Sequence, residues 1–178
     1  MANKVTLTDL EYALEPSQER NRFTVIEQYC RRKPTLDAVP VLIRALSDDC
    51  HAVVKCAAIS LKKLGPDARE AFDPLLDAAR HIDSATQMPQ AYCECLDALV
   101  AIDKENEEII ELIRHFVGLD NWHPIKHSLQ ALSTINSEES IDLLRRMYRF
   151  WEREFNKQQK KNALKIVEPY LDAEEPSD

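Results

Sequence analysis

The sequence predicts an all-α fold, a right-handed α-solenoid of about four to five antiparallel helix pairs. One phrase recurs four times: AAISLKKLG at 57–65, CLDALVAID at 95–103, SLQALSTIN at 128–136 and NALKIVEPY at 162–170. Aligning Leu61 with Leu99, Leu132 and Ile166 gives steps of 38, 33 and 34 residues. This period is typical of stacked helix pairs, because one pair buries its apolar face only against a neighbouring pair. Only two glycines occur in 178 residues, which disfavours β-hairpins and Gly-rich phosphate loops.

Each recurrence lies in a second helix, and an apolar stripe at helical spacing precedes it. In the clearest copy Val39, Leu42 and Leu46 form that stripe, and Gly65-Pro66 ends the second helix. We therefore expect a single domain over 1–171, with a degenerate first copy at 8–33 and copies at about 35–65, 66–103, 106–136 and 137–170. Residues 172–178 (DAEEPSD) have almost nothing to bury and are predicted to be a disordered acidic tail.

The formal net charge of −8 is unevenly distributed. Residues 67–120 carry 13 acidic and 4 basic side chains, whereas residues 145–167 carry 8 basic and 2 acidic ones. The overall sign repels nucleic acid and anionic membranes at long range. No run of about 18 apolar residues is present, so we expect no transmembrane helix. Five cysteines, without a recognisable signal peptide, favour reduced thiols in a cytoplasmic protein.

The stretch AVPVLIRALSDDCHAVVKCAAISLKKLGPDA (38–68) resembles a HEAT repeat. It has a proline in the first helix (Pro40), an acidic turn (DD), then VVK, paired alanines, Leu61 and a closing Gly65. The resemblance covers roughly residues 17–170 and is closest in this copy. It implies a curved stack whose second helices line the concave face, and a binding function more than a chemical one.

The second helices carry the candidate partner-binding residues, whose charge alternates along the stack. They are Lys55, Lys62, Glu94, Asp97, Lys126, His127, Gln130, Lys160 and Lys161, with Trp122 and His123 at the start of one helix. Alternating charge sets the register of an extended partner more than its affinity. We expect Glu94 and Asp97 to lie on a solvated helix face, since acid–base catalysis needs a perturbing pocket. Trp122 is either an interface anchor or a staple between its turn and the core.

Two other patterns could bind metal. His123 and His127 are spaced i, i+4 and share a helix face, but no third ligand lies at an obvious spacing. In Cys93-x-Cys95 the alignment places Cys95 toward the core and Cys93 away from it, which makes a poor chelate. We predict neither a metal nor a cofactor.

The function predicted from these features is non-catalytic protein binding, as a scaffold, an adaptor or an inhibitor. The acidic middle favours a basic partner, for example a nucleic-acid-cleaving toxin inhibited by a decoy for phosphate. The alternative is a HEAT-like enzyme or nucleic-acid-binding module, similar to DNA glycosylases or bilin lyases, that uses the basic 145–165 region. Aromatic residues interleave that region. Helical spacing buries Tyr148 and Trp151 but leaves Phe150 and Phe155 less easily buried and open to a partner.

Overall fold

The computed structural model describes residues 5–15, 18, 21–82, 89–116 and 121–171, and the regular structure in these ranges is helical. The α-helices are α1 (Leu7–Ala13), α2 (Arg22–Cys30), α3 (Val39–Leu46), α4 (His51–Leu64), α5 (Phe72–His81), α6 (Pro89–Asp103), α7 (Glu108–Phe116), α8 (Trp122–Ile135), α9 (Glu138–Trp151) and α10 (Lys157–Leu171). Short 3₁₀ segments at Leu36–Ala38 and Gly65–Ala71 precede α3 and α5. The predicted tail at 172–178 lies outside the described residues. None of the described helices is long and apolar enough to cross a membrane.

The helices stack in two layers. The second helices contact one another in chain order: α2 with α4, α4 with α6, α6 with α8, and α8 with α10. The first helices cover this row, with α3 on α4, α5 on α6, α7 on α8, and α9 on both α8 and α10. Each pair therefore packs mainly on the pairs beside it, which is the arrangement of an α-solenoid. The predicted fold class is confirmed.

Local sequence sets where several helices begin and end. Thr6 and Asp9 form a capping box on α1, in which each side chain accepts a hydrogen bond from the backbone amide of the other residue. The Ser137 hydroxyl caps α9 by accepting from the Ser140 amide at 3.2 Å. Gly65 ends α4 with φ 60° and ψ −135°, a conformation that is strained for residues with a side chain.

The core runs continuously between the two layers. Leu61, Leu99 and Leu132 occupy equivalent positions on α4, α6 and α8, and each is 0% exposed, which confirms their predicted burial. Tyr148 and Trp151 on α9 are also buried, as their spacing predicts. Because these side chains face the same side of successive helices, the hydrophobic contacts pass from one pair to the next.

Candidate functional site

The second-helix face is the side of the second helices that is turned away from the first-helix layer, including the side chains at its margins that reach the next second helix. Two contacts on α4 locate it. Lys62 Nζ reaches Asp97 on α6, and Lys63 Nζ donates to a backbone carbonyl just beyond α2. Positions between these two directions, such as Lys55 and Ile59, therefore lie on this face.

Two contacts likewise locate the second-helix face on α8. His127 contacts Asp97 on α6, and Ser133 contacts the Tyr170 hydroxyl on α10 at 3.2 Å. The side chains between these directions are partly or fully exposed. The described members of the face on α4, α6 and α8 are Lys55, Ile59, Lys62, Gln90, Glu94, Asp97, His123, Lys126, His127, Gln130 and Thr134.

Three of these side chains form a polar row that crosses three consecutive second helices. Lys62 Nζ on α4 lies 2.6 Å from Asp97 Oδ2 on α6. The other carboxylate oxygen, Asp97 Oδ1, lies 2.9 Å from His127 Nδ1 on α8. The Asp97 and His127 side chains are only 21% and 22% exposed. Asp97 therefore joins helices that belong to three different pairs.

The polar row shifts the pKa of Asp97 and of Lys62 in the directions that favour their charged forms. Partial burial opposes ionisation of Asp97, but the hydrogen bonds from His127 and Lys62 outweigh it and hold the pKa of Asp97 below its ordinary value. Burial likewise opposes the charge on Lys62, yet the contacts with Asp97 and Glu94 raise the pKa of Lys62. Since an ionised carboxylate only accepts hydrogen bonds, His127 Nδ1 carries the proton in this contact.

Glu94 extends the polar row on α6. Its Oε2 lies 3.5 Å from Lys62 Nζ, and its side chain is 26% exposed. Both carboxylates of the face are therefore paired with the same lysine. Neither is the freely solvated charge that the sequence suggests.

The remaining predicted residues lie in different surroundings. Lys55 and Lys126 are half-buried on α4 and α8, whereas His123 and Gln130 are exposed on α8. Lys160 and Lys161 are exposed on α10, in the last pair. The structure thus brings Lys62, Glu94, Asp97 and His127 into contact, and it arranges the other residues around them without direct bonds.

Trp122 and Phe155 pack against each other at the turn that follows α9. Their ring centroids are 5.0 Å apart in an edge-to-face arrangement. Trp122 also packs on the core, and Phe155 is only 8% exposed. The prediction that Phe155 is hard to bury was wrong, because its ring packs against the Trp122 ring and also lies 6.5 Å from the Tyr148 ring. Of the two roles considered for Trp122, this packing matches the staple between its turn and the core.

Cys93 is also placed differently from the prediction. It is 3% exposed, and Cys95 is 0% exposed, so both thiols face protein although only one was expected to. The error arises because positions that contact a neighbouring second helix are as buried as those facing the first-helix layer. Burial and the adjacent negative charges of Asp97 and Glu94 raise the pKa of Cys93 to about 12.

Comparison with known proteins supplies the fold and no finer relationship. No protein-family model matches the chain, and no curated protein matches it. Among solved structures, a designed armadillo repeat protein in complex with the peptide (KR)4 is similar, with a TM-score of 0.59 at 16% identity over 92% of this chain and 81% of that chain. The chain has a repeat α-solenoid fold. At this identity the likeness concerns the fold alone.

The basic segment of the solenoid is partly used to hold its last pair together. Arg145 Nε donates to the Tyr170 carbonyl at 2.6 Å and so ties α9 to the end of α10. Arg146 pairs with Asp142 at 2.8 Å within α9. Among the four aromatic side chains interleaved there, Phe150 is 64% exposed, whereas the other three are buried. The stacking surface that the nucleic-acid alternative needs is therefore reduced to one ring.

Sequence reasoning missed an acidic cleft at the turns that join successive pairs. It has a volume of about 610 Å³ and is lined by Glu105, Glu107, Ile110, Ile135, Glu138 and Glu139. The available signal was the placement of acidic residues in the first turns of α7 and α9. Negative charge at these positions stabilises a helix N-terminus.

Proposed function

We propose that this solenoid is a non-catalytic scaffold that binds another protein along its second-helix face. The polar row of Lys62, Asp97 and His127 is the observation that carries this proposal. Half-buried ion pairs contribute little net stability compared with apolar packing. Polar groups that are already fixed in place, however, lower the cost of ordering side chains when a partner binds.

An extended polypeptide is the partner that best matches the geometry of this row. The face crosses the helices nearly at right angles, so it offers polar groups once per helix along a line. A solved structure with the same fold is described in complex with a peptide. A continuous extended segment would meet each helix in turn and present its own polar groups at regular intervals.

A finer version of this function makes the protein an adaptor or an inhibitor with a basic partner, such as a nucleic-acid-cleaving toxin. The acidic composition of residues 67–120 supports it. Many of those acidic side chains lie on the first helices, including Asp73 and Asp77 on α5 and Glu111 on α7. A basic partner would therefore meet the first-helix side of the solenoid. On sequence grounds alone we also propose a HEAT-like affiliation and a cytoplasmic location.

Position-specific photo-crosslinking in the cells from which the protein derives tests the scaffold function. A photoreactive amino acid replaces Gln130 on the second-helix face or, as the matched control, Asp73 on α5; both are exposed. We expect a discrete cross-linked protein from position 130 only. Cross-links from position 73 alone would move the site to the first-helix side. Cross-links from neither position would contradict a scaffold.

A further inference from the structure

The charges on the second-helix face do not cancel one another. Both of its acidic side chains on α6 are engaged by one lysine, with Lys62 Nζ 2.6 Å from Asp97 and 3.5 Å from Glu94. Asp97 also accepts from His127. Lys62 offsets the charge of only one of these two carboxylates. On α4, α6 and α8 the lysines of the face are Lys55, Lys62 and Lys126, so the face keeps a small excess of positive charge over Glu94 and Asp97.

Several lysines of the face are left over from this pairing. Lys55 lies two turns before Lys62 on α4, and Lys126 lies beside His127 on α8. Within the part of the chain that the structure describes, neither lysine forms an ion pair or a side-chain hydrogen bond. On α10, Lys161 and Lys165 are exposed on the side opposite the buried core residues, together with the single carboxylate of Glu168. Positive charge therefore continues toward the C-terminal end of the solenoid.

The acidic residues that dominate the composition lie elsewhere. They occupy the first helices and the turns between pairs, and all of the following are exposed: Asp67, Glu70, Asp73, Asp77, Glu105, Glu107, Glu108 and Glu111. At physiological ionic strength charges are screened over about 8 Å. A segment lying on the second helices therefore responds to the lysines beneath it more than to the net charge of −8.

We infer that the second-helix face binds an acidic, extended polypeptide segment. The inference rests on the proposed scaffold function and assigns the sign of the partner. Lys55, Lys126 and the α10 lysines form its complementary surface, and the polar row fixes the side chains between them. An acidic partner is the opposite of the basic partner that the composition predicts, because composition does not separate the two sides of the solenoid.

The dimensions of the face set the length of the segment. Neighbouring packed helices lie about 8–10 Å apart, so the three steps from α4 to α10 cover about 24–30 Å. An extended chain advances about 3.3 Å per residue, which gives a segment of about 7–9 residues. Acidic residues at alternate positions would place several carboxylates on the protein side of such a strand.

Fluorescence anisotropy with three labelled peptides of about 12 residues tests the inference. The peptides are a Glu-Ser repeat, a Lys-Ser repeat and a Gln-Ser repeat. We expect the full-length protein to bind the Glu-Ser peptide at least about tenfold more tightly than the neutral peptide. This preference should weaken as salt is raised, because screening shortens the range of the attraction.

Matched charge reversals assign the binding to the face. Lys55→Glu with Lys126→Glu should weaken Glu-Ser binding at least about tenfold, since both changes lie under the segment. Lys33→Glu with Arg153→Glu makes the same change in net charge at exposed turn positions outside the face. This control should change the affinity less than about threefold. Circular dichroism confirms that each variant is folded.

Three outcomes of the peptide test would overturn the acidic assignment. They are preferential binding of the Lys-Ser peptide, equal weakening by both charge-reversal pairs, and binding of none of the peptides. Self-association that Lys55→Glu with Lys126→Glu abolishes would also overturn it, because the occupant would then be a second copy of the chain. The crosslinks at position 130 do not depend on the sign of the partner. If they persist while the peptide test fails, the scaffold function stands and only the acidic assignment is lost.

Discussion

Two rows of side chains run along different sides of the same three second helices. The apolar row faces the first-helix layer and is fully buried, whereas the polar row faces away from that layer and is linked by hydrogen bonds from helix to helix. The apolar row consists of Leu61, Leu99 and Leu132, and the polar row of Lys62, Asp97 and His127.

The two rows differ in how far they tolerate changes in repeat length and helix position. Hydrophobic burial depends on the area removed from water and has no preferred direction, so leucines stay buried although the repeat length changes from 38 to 33 residues. An ion pair depends on a distance of a few ångströms between particular atoms. The apolar row therefore tolerates changes in repeat length, whereas the polar row forms only where the three helices keep this rotation and spacing.

The largest expected effect comes from the apolar row. Leu99→Ala removes a side chain that is 0% exposed and should lower the free energy of unfolding by about 2–5 kcal/mol. Chemical denaturation measures the change. Gln130→Ala, on the exposed side of α8, is the matched truncation and should change stability by no more than about 0.5 kcal/mol. Similar losses from both variants would contradict the separation of the two rows.

Asp97→Asn should produce the second largest effect. The substitution keeps the shape of the side chain but removes the charge that compensates Lys62, and its amide replaces one acceptor with a donor. Loss of hydrogen bonds to a half-buried charged group costs about 1–3 kcal/mol. If denaturation shows a change below about 0.3 kcal/mol, the polar row contributes nothing to the stack.

The pH dependence of stability tests whether the charge of the Asp97 carboxylate causes the loss expected for Asp97→Asn. The pKa of Asp97 is lower in the folded protein than its ordinary value. Its contribution is therefore fully present above the unfolded pKa of about 3.9 and is lost as pH falls through the folded value. The stability gap between the wild type and Asp97→Asn should narrow below about pH 4. A gap that stays constant down to the acid transition would assign the effect to packing.

Lys62 gives the converse test at alkaline pH. Its pKa is raised in the folded protein, so its contribution is complete below the unfolded pKa and disappears as pH rises through the folded value. The difference in the free energy of unfolding between the wild type and Asp97→Asn should therefore narrow again above about pH 10.

A smaller effect is expected where the last helix pair closes over α8. The edge-to-face contact of Trp122 and Phe155 should give a coupling energy of about 0.5–1.5 kcal/mol in a double-mutant cycle with Trp122→Leu and Phe155→Leu. Additive losses would mean that the two rings do not stabilise each other. Crosslinking of a partner from position 122 would then favour its role as an interface anchor.

The sequence was sufficient to predict the apolar row and the fold class, because repetition of Leu61, Leu99 and Leu132 at helix-pair spacing has one economical explanation. It also placed Lys62, Asp97 and His127 on a common face. The bonds between them were not predictable, since they join residues 35 and 30 positions apart and depend on how far each helix is rotated. The division into repeat copies stays a prediction.

The same limit explains the misplaced residues. Cys93 lies on a side of α6 that a neighbouring second helix covers, and Phe155 is buried against the rings of Trp122 and Tyr148. A helical wheel separates a core side from a solvent side, but in a solenoid each inner helix has two further sides that face its neighbours. Positions on these sides are apolar or polar according to the adjacent pair, which periodicity within one helix does not reveal.

The smallest expected effect on stability comes from Glu94→Gln, and it separates the two signs of partner most directly. Glu94 is the outer member of the Lys62 pairing, at 3.5 Å, so its neutralisation should change the free energy of unfolding by less than about 1 kcal/mol. The same change releases Lys62 from one of its two carboxylates and removes a negative charge from the second-helix face. Affinity for the Glu-Ser peptide should therefore rise by about two- to fivefold. Glu111→Gln on α7 alters the net charge equally on the first-helix side and should leave the affinity unchanged. Glu94→Gln could instead weaken binding of the acidic peptide or strengthen binding of the Lys-Ser peptide. The second-helix face would then prefer a basic partner, and Glu94 would be one of its contacts.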